Sequence, residues 1–325
     1  ISLTIMMWLA FLFPLPYYIE SPGGASDIRQ VLTVNGETDG ADGSYNFVYV
    51  QVRQATAVQL ALAYFNDHMD IYTEEEMTGG SSNADYIRIN QFYMETSQNL
   101  AKYNALSLAG EDVSMDFLGV YVLAVTDDST FKGVLNIADT VTSVNGETFE
   151  SSADLIDYVG SLELGSDVTV GYTSNDQELT ADGTIIKLSN GKNGIGISLV
   201  DHTEVETDVP IEFYTDNIGG PSAGLMFTLA IYTQLADPDL RNGLDIAGTG
   251  TIEEDGSVGD IGGVDKKVIS AAQAGATIFF APNNPVDEAV LEENPDALSN
   301  YDEAVKTVEE EGLDITVVPV TTVQD

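Results

Sequence analysis

Ser222 stands in the run Gly219-Gly220-Pro221-Ser222-Ala223-Gly224, directly before the apolar segment Leu225 to Ala230. Small residues interrupted by a proline, then an apolar stretch of helical length, predict a tight turn that delivers the serine to the first turn of a buried helix. Backbone N–H groups at a helix start lack intrahelical partners, so Gly220, Pro221 and Ala223 form a candidate oxyanion turn around a candidate nucleophile. For the hexapeptide alone a glycine turn with a capping serine is the favoured reading, and only a base elsewhere in the chain would overturn it.

Bases are few. The two histidines, His68 and His202, have no triad-like context, and with no cysteine there is no thiol nucleophile, disulfide framework or thiolate metal site. Lysine is left. On a helix starting at Gly263, Val264, Val268, Ala271 and Gly275 share a face with Lys267 at its margin, whereas Lys266 points nearly opposite, so Lys267 is the one that can be drawn into the protein. An unperturbed lysine is neutral in only about one molecule in 2,500 at pH 7, but desolvation to a pKa of roughly 8 would free about a tenth of it as a base. A lysine that snorkels to solvent is the plain alternative.

The elements that must bring these residues together can be read around them. Ile195 to Val200 and Val209 to Tyr214 are expected as strands, Leu244 to Ile252 as another, and Glu253-Glu254-Asp255-Gly256 as a solvated hairpin turn without calcium-loop spacing. Further on, Ala276 to Ala281 and Ile315 to Val318 read as strands, and Pro285 to Glu292 and Tyr301 to Glu311 as helices. Toward the N-terminus, Gln30 to Val34 and Tyr45 to Val52 read as strands, Asn35 to Ser44 and Asp67 to Asp85 as loops, and Ala55 to Asn66 and Tyr86 to Leu108 as helices.

Between these blocks lies a β-rich segment with strands at Gly119 to Val125, Asp167 to Tyr172 and Ala181 to Leu188 and a helix over Ser151 to Val159. From about Ser114 to Leu188 it resembles a bacterial PDZ domain, chiefly through Leu135 to Gly146, although Ala138 stands where a glycine usually precedes the aspartate, here Asp139. The resemblance implies a peptide added as an extra strand beside Val120, Tyr121 and Val122, under the Ser151 to Val159 helix.

Gly219 to Gly224, Gly248-Thr249-Gly250 and Ile261 to Lys267 together resemble the proteolytic domain of Lon-type peptidases. The resemblance implies Ser222 as nucleophile, Lys267 as general base and Thr249 as the residue that orients the lysine. Gly219 replaces an acidic residue common in hexameric ATP-driven members, and no Gly-x-x-x-x-Gly-Lys-Ser/Thr phosphate loop occurs in the 325 residues.

Ile1 to Ile19 is uncharged and apolar and would extend about 28 Å as a helix, nearly a bilayer span, with Pro14 and Pro16 ending it and Tyr17 and Tyr18 at the interface. A cleaved signal peptide ending near Gly23-Gly24-Ala25 is the competing reading. With 53 Asp+Glu against 11 Lys+Arg and a net charge of −42, the surface repels nucleic acid.

The order of these parts is similar to that of membrane-anchored PDZ-Lon peptidases of Gram-positive bacteria. The resulting expectation is an α+β fold: transmembrane segment 1–19, linker and loop 20–44, first part of a Lon-type catalytic domain 45–110, inserted PDZ domain 114–190, and its main part 191–325. Function is expected to be ATP-independent serine endopeptidase action on extracytoplasmic proteins, guided by the PDZ domain and needing no metal or other cofactor. Peptide or protein substrates and the membrane are the expected partners, with no nucleotide, and homo-oligomerisation stays open. A non-catalytic membrane scaffold that binds peptides through the PDZ segment is the alternative.

Overall fold

The computed structural model describes residue 8 and residues 10–325 apart from Asn217. Its first sheet has six strands in the order Thr316–Val320, Ile278–Pro282, Asp245–Gly248, Ser44–Thr56, Pro14–Asp27 and Asp70–Thr73. The first four are mutually parallel, and the last two join antiparallel. Parallel strands are covered on both faces, and the residues alternate accordingly. Phe47 and Ile246 pack toward the helices Asn83–Ala109 and Gly224–Leu235, whereas Val48 and Ala247 pack with residues of Val264–Gln273 and Asn300–Glu311.

The second sheet is antiparallel, in the order Ile197–Thr207, Val113–Val125, Thr140–Val144, Asp167–Ser174 and Gln177–Thr184. With the helix Ser152–Ser161 it encloses a separate core that includes Val120, Val122, Leu135, Val141, Leu155 and Val170. The helix Asn83–Ala109 joins the two units. Ser82 caps it by accepting from Asp85 N–H, and left-handed Gly110 ends it, so both termini carry local sequence signals.

Three expectations are corrected. Tyr17 to Gly24 is neither the end of a membrane helix nor a linker but part of the Pro14–Asp27 strand, with Ile19 wholly buried. Asp70–Thr73 pairs only with Tyr17 to Glu20, which leaves Pro22 on an outer edge where a missing N–H costs no ladder bond. The rest of the membrane-helix expectation falls mostly on residues 1–7 and Leu9, outside the described residues. Among the described residues, no helix is long and apolar enough to cross a membrane.

Second, Asp67 to Asp85 is not one loop. It contains the strand Asp70–Thr73 and a helix, Glu74–Thr78, closed by a Thr73/Glu76 capping box. Third, the strand beginning at Ile197 pairs with Val113–Val125 in the second sheet instead of leading only into the serine block. The expected hairpin at Glu253 to Gly256 is present between Thr251–Ile252 and Val258–Gly259.

Candidate active site and peptide groove

Ser222 lies just before the helix Gly224–Leu235, whose N-cap residue is Ala223 and which has no side-chain cap. The capping-serine reading is therefore not what the turn uses its hydroxyl for. The turn is instead fixed through its backbone. Gly220 N–H donates to Asn90 O (2.8 Å), and Gly250 N–H donates to Ser222 O (2.9 Å). Ser97 Oγ donates to Pro221 O (2.9 Å). A Cβ on Gly224 would come within 2.7 Å of Ile252 Cγ2, so only glycine lets the helix start this close to the hairpin. At Gly219 a Cβ would come within 2.7 Å of Asn90 Cβ, so an acidic side chain there would displace the long helix.

The expected oxyanion turn narrows accordingly. Gly220 has committed its N–H to Asn90, and Pro221 has none to offer. Ala223, together with Ser222 itself, is left with an N–H that makes no hydrogen bond among the described residues. These two donors precede a helix of 12 residues, where the dipole favours negative charge.

Lys267 arrives from the opposite face of the sheet. Gly263, the N-cap of Val264–Gln273, adopts φ +64°, and a Cβ there would come within 2.9 Å of Glu20 Oε1. Lys267 is 4% exposed, and its Nζ donates to Thr249 Oγ1 at 3.3 Å. That hydroxyl donates in turn to Ser222 O at 3.1 Å. Thr249 is fully buried at the end of Asp245–Gly248, so one side chain touches both the lysine and the serine's backbone. Burial lowers the Lys267 pKa to about 8, against a smaller opposing pull from Glu20. Lys267 Nζ and Ser222 Oγ form no direct hydrogen bond.

Lys266 departs from expectation. It is 2% exposed, because its Nζ is held by Asp70 at 2.6 Å and Asp265 at 3.2 Å, with Glu20 at 3.9 Å. Burial alone would lower its pKa, but the hydrogen bond to Asp70 and the charges of Asp265 and Asp70 carry it above the ordinary value. Adjacent lysines, both buried, are thus set apart by their partners: one faces carboxylates and stays charged, the other faces a hydroxyl. Helical spacing could not show this, because Glu20 and Asp70 are remote in sequence. The Glu20 carboxyl is itself raised, first by burial and then by Asp70 and Asp265, against the attraction of the two lysines.

The peptide groove is also corrected. Val120, Tyr121 and Val122 are buried and lie on an internal strand, with Thr140–Val144 on one side and Ile197–Thr207 on the other. Tyr121 stacks between Phe92 and His202, and its hydroxyl donates to Glu95, so it clamps the second sheet to the long helix. The terminal strand of the sheet is Ile197–Thr207. Its Ile197 and Leu199 pack against the core that contains Leu155 and Val159 of the Ser152–Ser161 helix, so the edge beside that helix runs from Ile197 to Val200. The signal was present in Gly194-Ile195-Gly196-Ile197, but its pairing partner was not legible.

Residues 91–185 match the family model for the PDZ domain. The match begins inside the long helix and stops before the terminal strand. Among curated proteins, the chain is similar to Lon protease of Ureaplasma parvum, at 28% identity over 214 residues, which cover 64% of this chain and 26% of that protein. It is similar to Lon protease of Acinetobacter baumannii at 30% identity, over 52% of this chain and 20% of that protein. A shorter stretch, 25% of this chain and 10% of the relative, is 44% identical to Lon protease of Fusobacterium nucleatum. The chain thus spans about a quarter or less of the curated relatives it matches. Among solved structures, the PDZ domain of an SdrC-like protein from Listeria monocytogenes shares 38% identity, covering 26% of this chain and 90% of that one, with a TM-score of 0.25. The chain is a mixed α/β protein with a PDZ domain and partial similarity to Lon proteases.

Proposed function

We propose that the protein is an ATP-independent serine endopeptidase in which Ser222 is the nucleophile, Lys267 the general base and Thr249 the residue that positions the lysine. The observation that carries this reading is a buried lysine with a pKa lowered to about 8, hydrogen-bonded to the hydroxyl that also holds the serine's carbonyl. At pH 7 about a tenth of such a lysine is neutral.

In the proposed reaction, Lys267 Nζ takes the Ser222 Oγ proton as the oxygen bonds to the peptide carbonyl carbon. Reaching Oγ requires a side-chain adjustment toward the serine, which the flexible stem of lysine allows. The Ser222 and Ala223 N–H groups hold the oxyanion. As the C–N bond breaks, the ammonium returns its proton to the leaving amine. Water, deprotonated by the same lysine, then cleaves the acyl ester and restores Ser222.

The proposed chemistry at Ser222 and Lys267 involves no nucleotide, and these 325 residues contain no Gly-x-x-x-x-Gly-Lys-Ser/Thr run. The extracytoplasmic, membrane-associated reading now rests on a shorter segment. Trp8 and Phe11 to Phe13 are apolar and exposed, and Leu62, Tyr64 and Phe65 are exposed nearby, just past the point where Pro14 pairs with Thr56.

The decisive experiment is peptide mapping by mass spectrometry of an unfolded protein substrate incubated with purified chain. Wild type should yield internal cleavages, and Ser222→Ala should lower kcat/KM by at least about 10³-fold. Equal cleavage by both would overturn the assignment of Ser222, and no internal cleavage by wild type would favour a non-catalytic peptide-binding scaffold.

A further inference from the structure

A cleft of about 410 Å³ opens between the long helix Asn83–Ala109, the second sheet and the hairpin that begins at Thr251. One wall is the terminal strand of the second sheet from Leu199 to Thr203, and another is the hairpin start Thr251 to Glu254. Pro221, the residue before Ser222, also lines it, as does Ser152 at the start of the helix beside the open edge. The cleft therefore borders both the peptide edge and the serine turn.

The charges that line the cleft point to the chemistry of a ligand. Asp201, Glu253 and Glu254 line the cleft and no lysine, arginine or histidine does. Burial raises the Glu253 carboxyl, and the charges of Asp255 and Asp201 raise it further, a repulsion that a cation would relieve.

The backbone shows where a peptide would go. Thr96 Oγ1 donates to Asp201 O and Asn99 Nδ2 donates to Thr203 O, both at 2.9 Å. The long helix thus closes the strand edge beyond Val200. A peptide strand added along Ile197 to Val200 cannot continue the ladder past Asp201 and must turn away from the edge, and the cleft begins there.

We propose that this cleft receives the segment of a bound peptide that follows the strand-paired stretch, and that it selects a lysine or arginine through Asp201, Glu253 and Glu254. The inference rests on the peptide-binding part of the functional reading and not on the chemistry of Ser222.

Binding to the full chain carrying Ser222→Ala, read by fluorescence anisotropy, tests it without cleavage. The probes are 12-residue peptides that differ only in a central Lys-Arg pair or its Gln-Gln replacement. The basic peptide should bind about tenfold more tightly. The double substitution Glu253→Gln/Glu254→Gln should erase that difference. Asp176→Asn/Glu178→Gln, on the far hairpin of the second sheet, should leave the preference intact. Equal affinity for the two peptides, or an equal loss from the far-hairpin substitutions, would overturn the proposal. Absence of Ser222-dependent cleavage by wild type strikes the proteolytic reading instead and leaves this binding result standing.

Discussion

Lys267 is held folded at a cost, and that cost gives the proposed base its signature. Its pKa is about 8 in the folded chain against an ordinary 10.5, so the unfolded chain binds the proton more tightly. Stability should therefore rise with pH between those values and be lowest below about 8, where the buried side chain is charged. Lys267→Met, similar in length and uncharged, should abolish cleavage yet raise Tm, with the largest gain at pH 7 and below and none above 10.5, as read by thermal melts across pH. Wild-type kcat/KM should climb with pH and level off above about 8, because only the neutral amine acts as base. A second residue-scale prediction concerns Ala138, which adopts φ 77° in the loop whose backbone bonds to Val122. The left-handed region strains any residue with a Cβ, so Ala138→Gly should stabilise the chain by about 1 kcal/mol in urea unfolding.

At the scale of elements, the helix Val264–Gln273 is fastened to the sheet by Lys266, which reaches Asp70 on the edge strand and approaches Glu20 on its neighbour. Lys266→Met would leave Glu20, Asp70 and Asp265 facing one another without the cation that contacts all three. Asp70 is 47% exposed and its share is screened, so the expected loss is about 2 kcal/mol by urea unfolding. The loss should shrink as the pH falls, because Glu20, whose pKa is already raised by burial, takes up a proton before an ordinary carboxylate does. The helical expectation that only Lys267 is drawn into the protein is replaced by two buried lysines. Helix boundaries around the site were legible because caps are local: Ser82 and Gly110 bracket the long helix, and Ser299 and Gly312 bracket Asn300–Glu311. The Pro14–Asp27 strand was not, because its apolar residues read as a membrane run until Ser44–Thr56 and Asp70–Thr73 are seen on either side.

For the molecule as a whole, the two sheets have separate cores and are joined through the long helix and the Phe92–Tyr121–His202 stack. A net charge of −42 surrounds both. Like charges on a compact body repel one another more than on an expanded chain, and salt screens that repulsion over about 10 Å at 0.1 M. Raising sodium chloride from about 0.02 to 0.5 M should therefore increase Tm by several degrees, a shift visible by differential scanning fluorimetry. A flat or falling Tm would mean that the acidic surface is already offset within the fold.

The sequence by itself determined the glycine-rich turn at Ser222, the helix placing Lys267 on a buried margin, the β-rich block near the middle and the acidic surface, all consequences of short-range spacing and composition. Only the tertiary structure decided which partner each group meets. Thr249 bridges toward Ser222 and Lys267 because a strand end, a helix start and a helix from the opposite face converge there. Lys266 is buried because Glu20 and Asp70 come from strands far away in the chain. The strand Val120 to Val122 lost its role as a peptide edge because Ile197–Thr207 pairs beside it, and strand pairing, unlike strand propensity, is a long-range choice.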